Sequence, residues 1–197
     1  MAKSIGSSKA TMTVRQPWTV ESLWEAGVHI MGSRTFYDMA AYWPASSEPF
    51  AAPMNKIPKV VFSRTGVETG GRKRDLTTRA LTDAIRFRSA AEAQPTSATA
   101  PKGAAWSESR IANGDLGEEI ARLKKESGKD ILAHGGARFA QSLVALGLID
   151  EYRLLVHPVA LGKGLPLFAG LLKPIDLKLV RTTAFGAGTV AHIYQPL

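Results

Sequence analysis

Ile131-Leu132-Ala133-His134-Gly135-Gly136-Ala137-Arg138-Phe139 is the stretch on which the reading of this chain turns. A short apolar run suited to a buried strand leads into two consecutive glycines and then directly into a helical pattern. Glycine lets the backbone approach a ligand closely. The start of the following helix offers free N–H groups and a partial positive charge, which suits a pyrophosphate. Spacing alone also allows a tight strand-to-helix turn with no ligand, and the lack of a full G-x-G-x-x-G argues against an ordinary Rossmann site.

Two further strand ends carry related chemistry. Met31-Gly32-Ser33-Arg34-Thr35 again runs from strand through glycine to helix start, and Phe62-Ser63-Arg64-Thr65 places a hydroxyl and a guanidinium at the end of the next strand. Arginine presents a fork that holds a phosphate bidentately, although Arg34 also reads as a plain surface residue at a helix start. Two arginine-bearing strand ends with one glycine turn suit a dinucleotide carrying an additional phosphate. That group is what distinguishes NADPH from NADH.

Outward from these turns, the chain alternates helix and strand. Thr19 caps a helix through Ala26 with Gly27 as its stop. Strands follow at 28–31 and 59–62, with a helix at 35–42 that halts before Pro44. Asp115 with Glu118 predicts a capped helix to Glu126, with Ile120 and Leu123 as its apolar stripe. Then come a strand at 130–134, a helix from Ala137 closed by Gly147, and a strand at 151–157. Strands at 177–183 and 189–194 flank Gly186-Ala187-Gly188, which predicts a closing antiparallel hairpin. The class is α/β: a mostly parallel sheet with an antiparallel C-terminal edge.

At 197 residues the chain is long enough for one domain, here taken as 17–197 after a polar tail of 1–16 in which Thr11 to Arg15 reads as a short strand. Residues 66–105 are rich in Gly, Ser, Thr, Ala, Pro and Arg and read as a surface insertion, with one weak helix at Thr78 to Ala93. The net charge is +8. It concentrates in residues 1–20 and 66–105, so the body is nearly neutral, which argues against a nucleic-acid surface. There is no cysteine, and the four histidines show no ligand spacing, so no metal is expected. No apolar run spans a membrane and the first ten residues lack a signal core, so a cytoplasmic protein is expected.

His29 to Tyr37 followed by Ala41-Tyr42-Trp43-Pro44 resembles the “GRRTY…YWP” signature of dihydrofolate-reductase-family proteins. Val60 to Thr65, Asn113-Gly114-Asp115-Leu116, His134 to Ala137, Gly147 to Tyr152, and His157 to Gly164 with Leu167-Phe168 are similar to that family's later motifs, in order. In style the chain is similar to the reductase domains of bacterial bifunctional riboflavin-biosynthesis deaminase–reductases and their stand-alone cousins. The resemblance covers residues 28–65 and 106–196; residues 1–16 hold nothing like the family's opening strand and loop.

The resemblance implies a dihydrofolate-reductase-like three-layer sandwich with an eight-stranded type of sheet, and NADPH as cofactor. Gly32, Arg34, Thr35, Ser63 and Arg64 would sit near the ribose phosphate, and Gly135, Gly136, Ala137, Arg138 and Phe139 would cradle the pyrophosphate. The implied activity is hydride transfer to a heterocyclic or ribosylamino-pyrimidine substrate by a homodimer. The alternative is a relative that binds nucleotide or dimerises without turnover. No catalytic residue is assigned: Glu21, His157 and Lys163 are candidates for substrate contacts, each also readable as an ordinary surface or strand-end residue.

Overall fold

The computed structural model describes residues 17–64 and 104–197. The polar tail with its short strand, and all of the predicted insertion before residue 104, lie outside the described residues. Helix α1 covers residues 17–24. Strand β1 (Ala26–Gly32) leads into α2 (Ser33–Tyr42), a 3-10 turn and α3 (Ala51–Lys56), and then β2 (Lys59–Phe62). A short helix α4 (Ala104–Ser107), β3 (Arg110–Ala112), α5 (Leu116–Lys125), β4 (Asp130–Ala133) and α6 (Ala137–Ala145) follow. The chain closes with β5 (Tyr152–Val156), β6 (Leu177–Ala184) and β7 (Val190–Pro196).

The four parallel strands line up as β3-β2-β1-β4. Adjacent residues of β1 and β2 face opposite cores, as a parallel sheet between two helical layers requires. Met31 and Val61 pack with Leu23, Phe36, Met54 and Trp106 from α1 to α4. Ile30 and Val60 pack on the other side with Ile120, Leu123 and Leu143 of α5 and α6. This is the three-layer sandwich that the resemblance implied.

The C-terminal strands form a separate antiparallel sheet, β5-β7-β6, closed by the predicted turn at Gly186–Gly188. The implied sheet of eight strands is therefore seven described strands in two sheets, with no described strand joining β4 to β5.

Several boundaries differ from the sequence reading, each for a local reason. The first helix ends at residue 24, and β1 begins at Ala26. Gly27 is no helix stop: it lies within the strand, where a Cβ would stand 3.2 Å from Lys129 Cβ and N, so it permits close approach of the neighbouring chain. Helix α3 was not anticipated. Its Pro53 falls in the first turn, where a helix tolerates proline, and Ala51, Pro53 and Met54 are buried. Helix α4 starts at Ala104, inside the predicted insertion, and delivers Trp106 to the core with its indole N–H donating to Asn55 Oδ1 at 2.7 Å. The α5 cap matches its prediction: Asp115 accepts the Glu118 N–H at 3.1 Å.

Candidate functional site

The parallel register sets the site. Gly32 pairs with Phe62, and Phe62 with Ala112, so β1, β2 and β3 end level with one another. The chain leaving β4 joins them, because the His134 N–H donates to the Ile30 carbonyl at 2.8 Å. The starts of α2 and α6, Ser63-Arg64 and the Gly135-Gly136 turn thus lie along one edge of the sheet, beyond the C-terminal ends of its strands. Ligand sites of open α/β sheets lie in that position.

The glycine turn is sealed to α2. The Thr35 hydroxyl donates to the Gly135 carbonyl at 3.1 Å across 100 residues of chain. Gly136 has φ +81, and a Cβ there would stand 2.7 Å from Thr35 Oγ1. Gly32 faces Phe139, whose Cβ would lie 3.6 Å from a Gly32 Cβ, and the Phe139 ring meets Phe62 at a centroid distance of 5.3 Å. Gly32, Thr35, Phe62, Gly135, Gly136 and Phe139 therefore form one contiguous set. Gly135 itself is open, with nothing within 4 Å of a Cβ built on it.

The helix starts differ in a way that matters for anions. Asp115 caps α5 with its own side chain, whereas neither α2 nor α6 has a side-chain cap hydrogen bond. Uncapped first-turn N–H groups remain available to an external acceptor. Three exposed guanidinium side chains stand nearby in sequence: Arg34 on α2, Arg64 after β2 and Arg138 on α6. None of them forms a salt bridge among the described residues. The Phe139 N–H, in contrast, donates to the Gly136 carbonyl at 2.9 Å. Ala137 completes the turn as the first residue of α6.

The other candidates lie apart. Glu21 rims a shallow hollow with Trp24, Glu25, Lys129 and Asp130, at the end of β4 opposite the glycine turn. His157 and Lys163 are exposed on the chain after β5. No three His, Cys, Asp or Glu side chains among the described residues are placed to hold a metal. No described helix is long and apolar enough to cross a membrane.

Sequence reasoning missed a buried basic cluster behind the turn. His29 and His134 meet edge to face at a centroid distance of 4.3 Å, and Lys59 stands over the Trp106 ring at 4.4 Å. His29 and Lys59 are register partners on β1 and β2, 0% and 2% exposed. The Lys59 ammonium donates to the Ile57 carbonyl at 2.5 Å. Neither nitrogen of His29, nor Nε2 of His134, has a hydrogen bond of ordinary geometry. Burial first, then His134 and Lys59, push His29 down from 6.5 to about 3, against a smaller upward pull from the Leu23 carbonyl. Burial and then Lys59 push His134 down to about 4, and burial lowers Lys59 from 10.5 to about 8. Only the strand register brings these three groups together, so no local pattern could have revealed them.

Comparison with known proteins agrees with this architecture. The RibD C-terminal domain family matches residues 4–191. Two Bacillus subtilis proteins match in sequence: the uncharacterized protein YyaP, 46% identical over 83 residues (42% of this chain, 44% of that protein), and the uncharacterized protein YwjB, 40% identical over 72 residues (36% and 41%). Each alignment thus spans less than half of the relative's length. Among solved structures, a putative riboflavin biosynthesis protein from Shewanella sp. PV-4 superposes with a TM-score of 0.57 at 17% identity, over 100% of this chain and 84% of that one. A diaminohydroxyphosphoribosylaminopyrimidine deaminase/5-amino-6-(5-phosphoribosylamino)uracil reductase from Thermotoga maritima gives 0.59 at 17% identity, over 100% of this chain and 52% of that one. Because that family is matched along nearly the whole chain, the chain belongs to the RibD C-terminal domain family.

Proposed function

We propose that this chain is an NADPH-dependent reductase of the riboflavin-biosynthesis or dihydrofolate-reductase-like type, acting on a heterocyclic or ribosylamino-pyrimidine substrate. The observation that carries the reading is the glycine turn locked to α2 by Thr35, with two uncapped helix starts beside it. Backbone N–H groups and helix dipoles of this kind favour a pyrophosphate. The open face of Gly135 leaves room for it, and the cradle at Gly136 admits no side chain. Family membership supports NADPH as the nucleotide.

In this reading Gly135, Gly136, Ala137 and Arg138 hold the pyrophosphate. Arg34 and Arg64, with Ser63, take the ribose phosphate beyond Gly32. Thr35 and Phe139 act from behind: one hydroxyl pins the turn, and one ring props it against Phe62 and Gly32. NADPH, when bound, supplies the hydride. The chain's own residues fix its orientation.

The reading is tested by fluorescence titration with NADPH, then by NADPH oxidation with 5-amino-6-(5-phosphoribosylamino)uracil or a pterin. Saturable oxidation is expected. Binding without oxidation of either substrate would favour a nucleotide-binding relative, and no binding would remove the proposal altogether. Arg64→Ala is expected to weaken NADPH by about tenfold, the loss of one charge-assisted phosphate contact of roughly 1.5 kcal/mol, while leaving NADH within twofold. Equal losses for both cofactors would rule out Arg64 as the phosphate reader.

A homodimer belongs to the same proposal. Val156, Leu161, Leu165, Leu179 and Val180 are large apolar side chains about half exposed or more, all contributed by the C-terminal part of the chain. Clustered exposed apolar residues mark interfaces. Light scattering should give about twice the 21.1 kDa chain mass. A monomeric mass at micromolar concentration would refute the dimer.

A further inference from the structure

The two ends of the glycine turn are held in different ways. On the exit side the Gly136 carbonyl accepts the Phe139 and Ala140 N–H groups at 2.9 and 3.1 Å, which ties it to α6. The Thr35 hydroxyl holds the middle of the turn through the Gly135 carbonyl. On the entry side the last residue with a side chain is His134. Its N–H donates to the Ile30 carbonyl, and its ring meets the His29 ring at 4.3 Å with 68° between the planes. Gly135 adds no side chain of its own, and nothing crowds it. Glycine loses more backbone freedom on ordering than any other residue. The setting of Gly135 therefore depends on its neighbours, and His134 is the one that leads into it.

The seat of the His134 ring is assembled from separate elements. His29 is the register partner of Leu132, two residues before His134, so both rings lie on one face of the sheet. His29 is fully buried, and its register partner on the other side is Lys59, whose ammonium lies over Trp106 of α4. Among the described residues no carboxylate pairs with Lys59 or with either ring. Nε2 of His134 is buried without a hydrogen-bond partner. Burial and then Lys59 hold the ring at about 4, so it is uncharged at neutral pH. It packs as an aromatic wedge, and contact with His29 orients it.

We propose that His134 is a positioning residue for the nucleotide turn: its ring, seated on His29, fixes the backbone at Gly135 in the setting that receives the pyrophosphate. The ring shares its face of the sheet with Trp106, whereas α6 packs on the opposite face with Ile30 and Ile120. It therefore acts on the ligand through the Gly135 backbone. A turn already fixed before the ligand arrives spends less binding energy on ordering. The proposal rests on the cofactor reading for the identity of its ligand, while the stiffness of the turn is a property of the chain alone.

His134→Ala is expected to weaken NADPH at least tenfold in fluorescence titration, and His134→Phe, which restores a ring without nitrogens, to return affinity to within threefold of the parent. His29→Ala removes the seat and leaves residue 134 unchanged; it is expected to weaken NADPH at least threefold. Equal losses in the Ala and Phe variants at position 134 would mean that the imidazole itself touches the ligand, and would overturn the positioning role. So would full affinity in His134→Ala. Hydrogen exchange of the nucleotide-free protein gives a second readout. In His134→Ala the protection of the Phe139 and Ala140 amides is expected to fall at least tenfold, with Val61 and Leu123 within twofold, and His134→Phe is expected to restore it. Unchanged protection at Phe139 and Ala140 would refute the proposal. A parent chain that fails to bind NADPH would remove the cofactor reading, whereas the exchange rates judge the positioning role without any nucleotide.

Discussion

Gly136→Ala is expected to weaken NADPH by between ten- and a hundredfold and to destabilise the fold, while Gly135→Ala is expected to weaken NADPH alone. The contrast follows from the geometry of two adjacent glycines. Gly136 has φ +81, and its added Cβ would sit 2.7 Å from Thr35 Oγ1, the hydroxyl that pins the turn through the Gly135 carbonyl. A side chain there would either strain the backbone, at about 1–3 kcal/mol, or push Thr35 away and free the turn. Either outcome moves the helix start that is proposed to meet the pyrophosphate, and each 1.4 kcal/mol is a factor of ten in affinity. Gly135 has no atom within 4 Å of its added Cβ, so its substitution should leave stability within about 0.5 kcal/mol. That Cβ would nevertheless project into the space assigned to the ligand. Urea denaturation and NADPH titration of both variants separate the two effects. Unaltered NADPH affinity in both would remove the turn from the binding site, whatever happens to stability.

Acidification from pH 7.5 to pH 5 is expected to destabilise the protein. His29 and His134 are held down to about 3 and about 4, chiefly by burial, and then by each other and by Lys59. Above their ordinary value of 6.5 both imidazoles are neutral in the folded and unfolded states, so they add no pH dependence. Below it the unfolded chain takes up protons that the folded chain refuses, and stability falls until about pH 4 to 3. At pH 5 each imidazole accounts for a loss of about 2 kcal/mol. Lys59 acts in the same direction at the other end. Its value is lowered from 10.5 to about 8, so between those values the folded state releases a proton that the unfolded state keeps, and stability rises with pH. Urea midpoints should therefore fall from pH 7.5 to pH 5. His29→Leu should roughly halve that fall and raise stability at pH 5, because an apolar side chain replaces an imidazole whose two buried nitrogens lack hydrogen-bond partners of ordinary geometry. A midpoint unchanged between pH 7.5 and pH 5 in the parent chain would mean that the two rings are not buried against each other.

Most of the parallel half was legible because its signals are local. The run Lys59–Phe62, set between Pro58 and Ser63-Arg64, reads as a strand, and the structure places β2 on those four residues. Asp115 with Glu118 reads as a helix start because the cap hydrogen bond spans only three residues. Gly135-Gly136 before an apolar helix marks a turn wherever it occurs. Helix α3 escaped because its burial comes from contacts with distant elements: Met54 packs with Met31, Val61 and Trp106, while its own sequence carries a proline.

What the sequence determined by itself was the order and type of the elements and the glycine turn that ends β4. Capping, periodicity and backbone sterics act between residues a few positions apart. What only the tertiary structure decided was which of those elements meet. Thr35 reaches Gly135, His29 lies against His134 and beside its register partner Lys59, and β4 and β5 both line one open groove. The Thr35–Gly135 and His29–His134 contacts join residues a hundred or more positions apart. They are set by strand register and layer packing, which depend on the whole set of buried surfaces at once and leave no local trace in the chain.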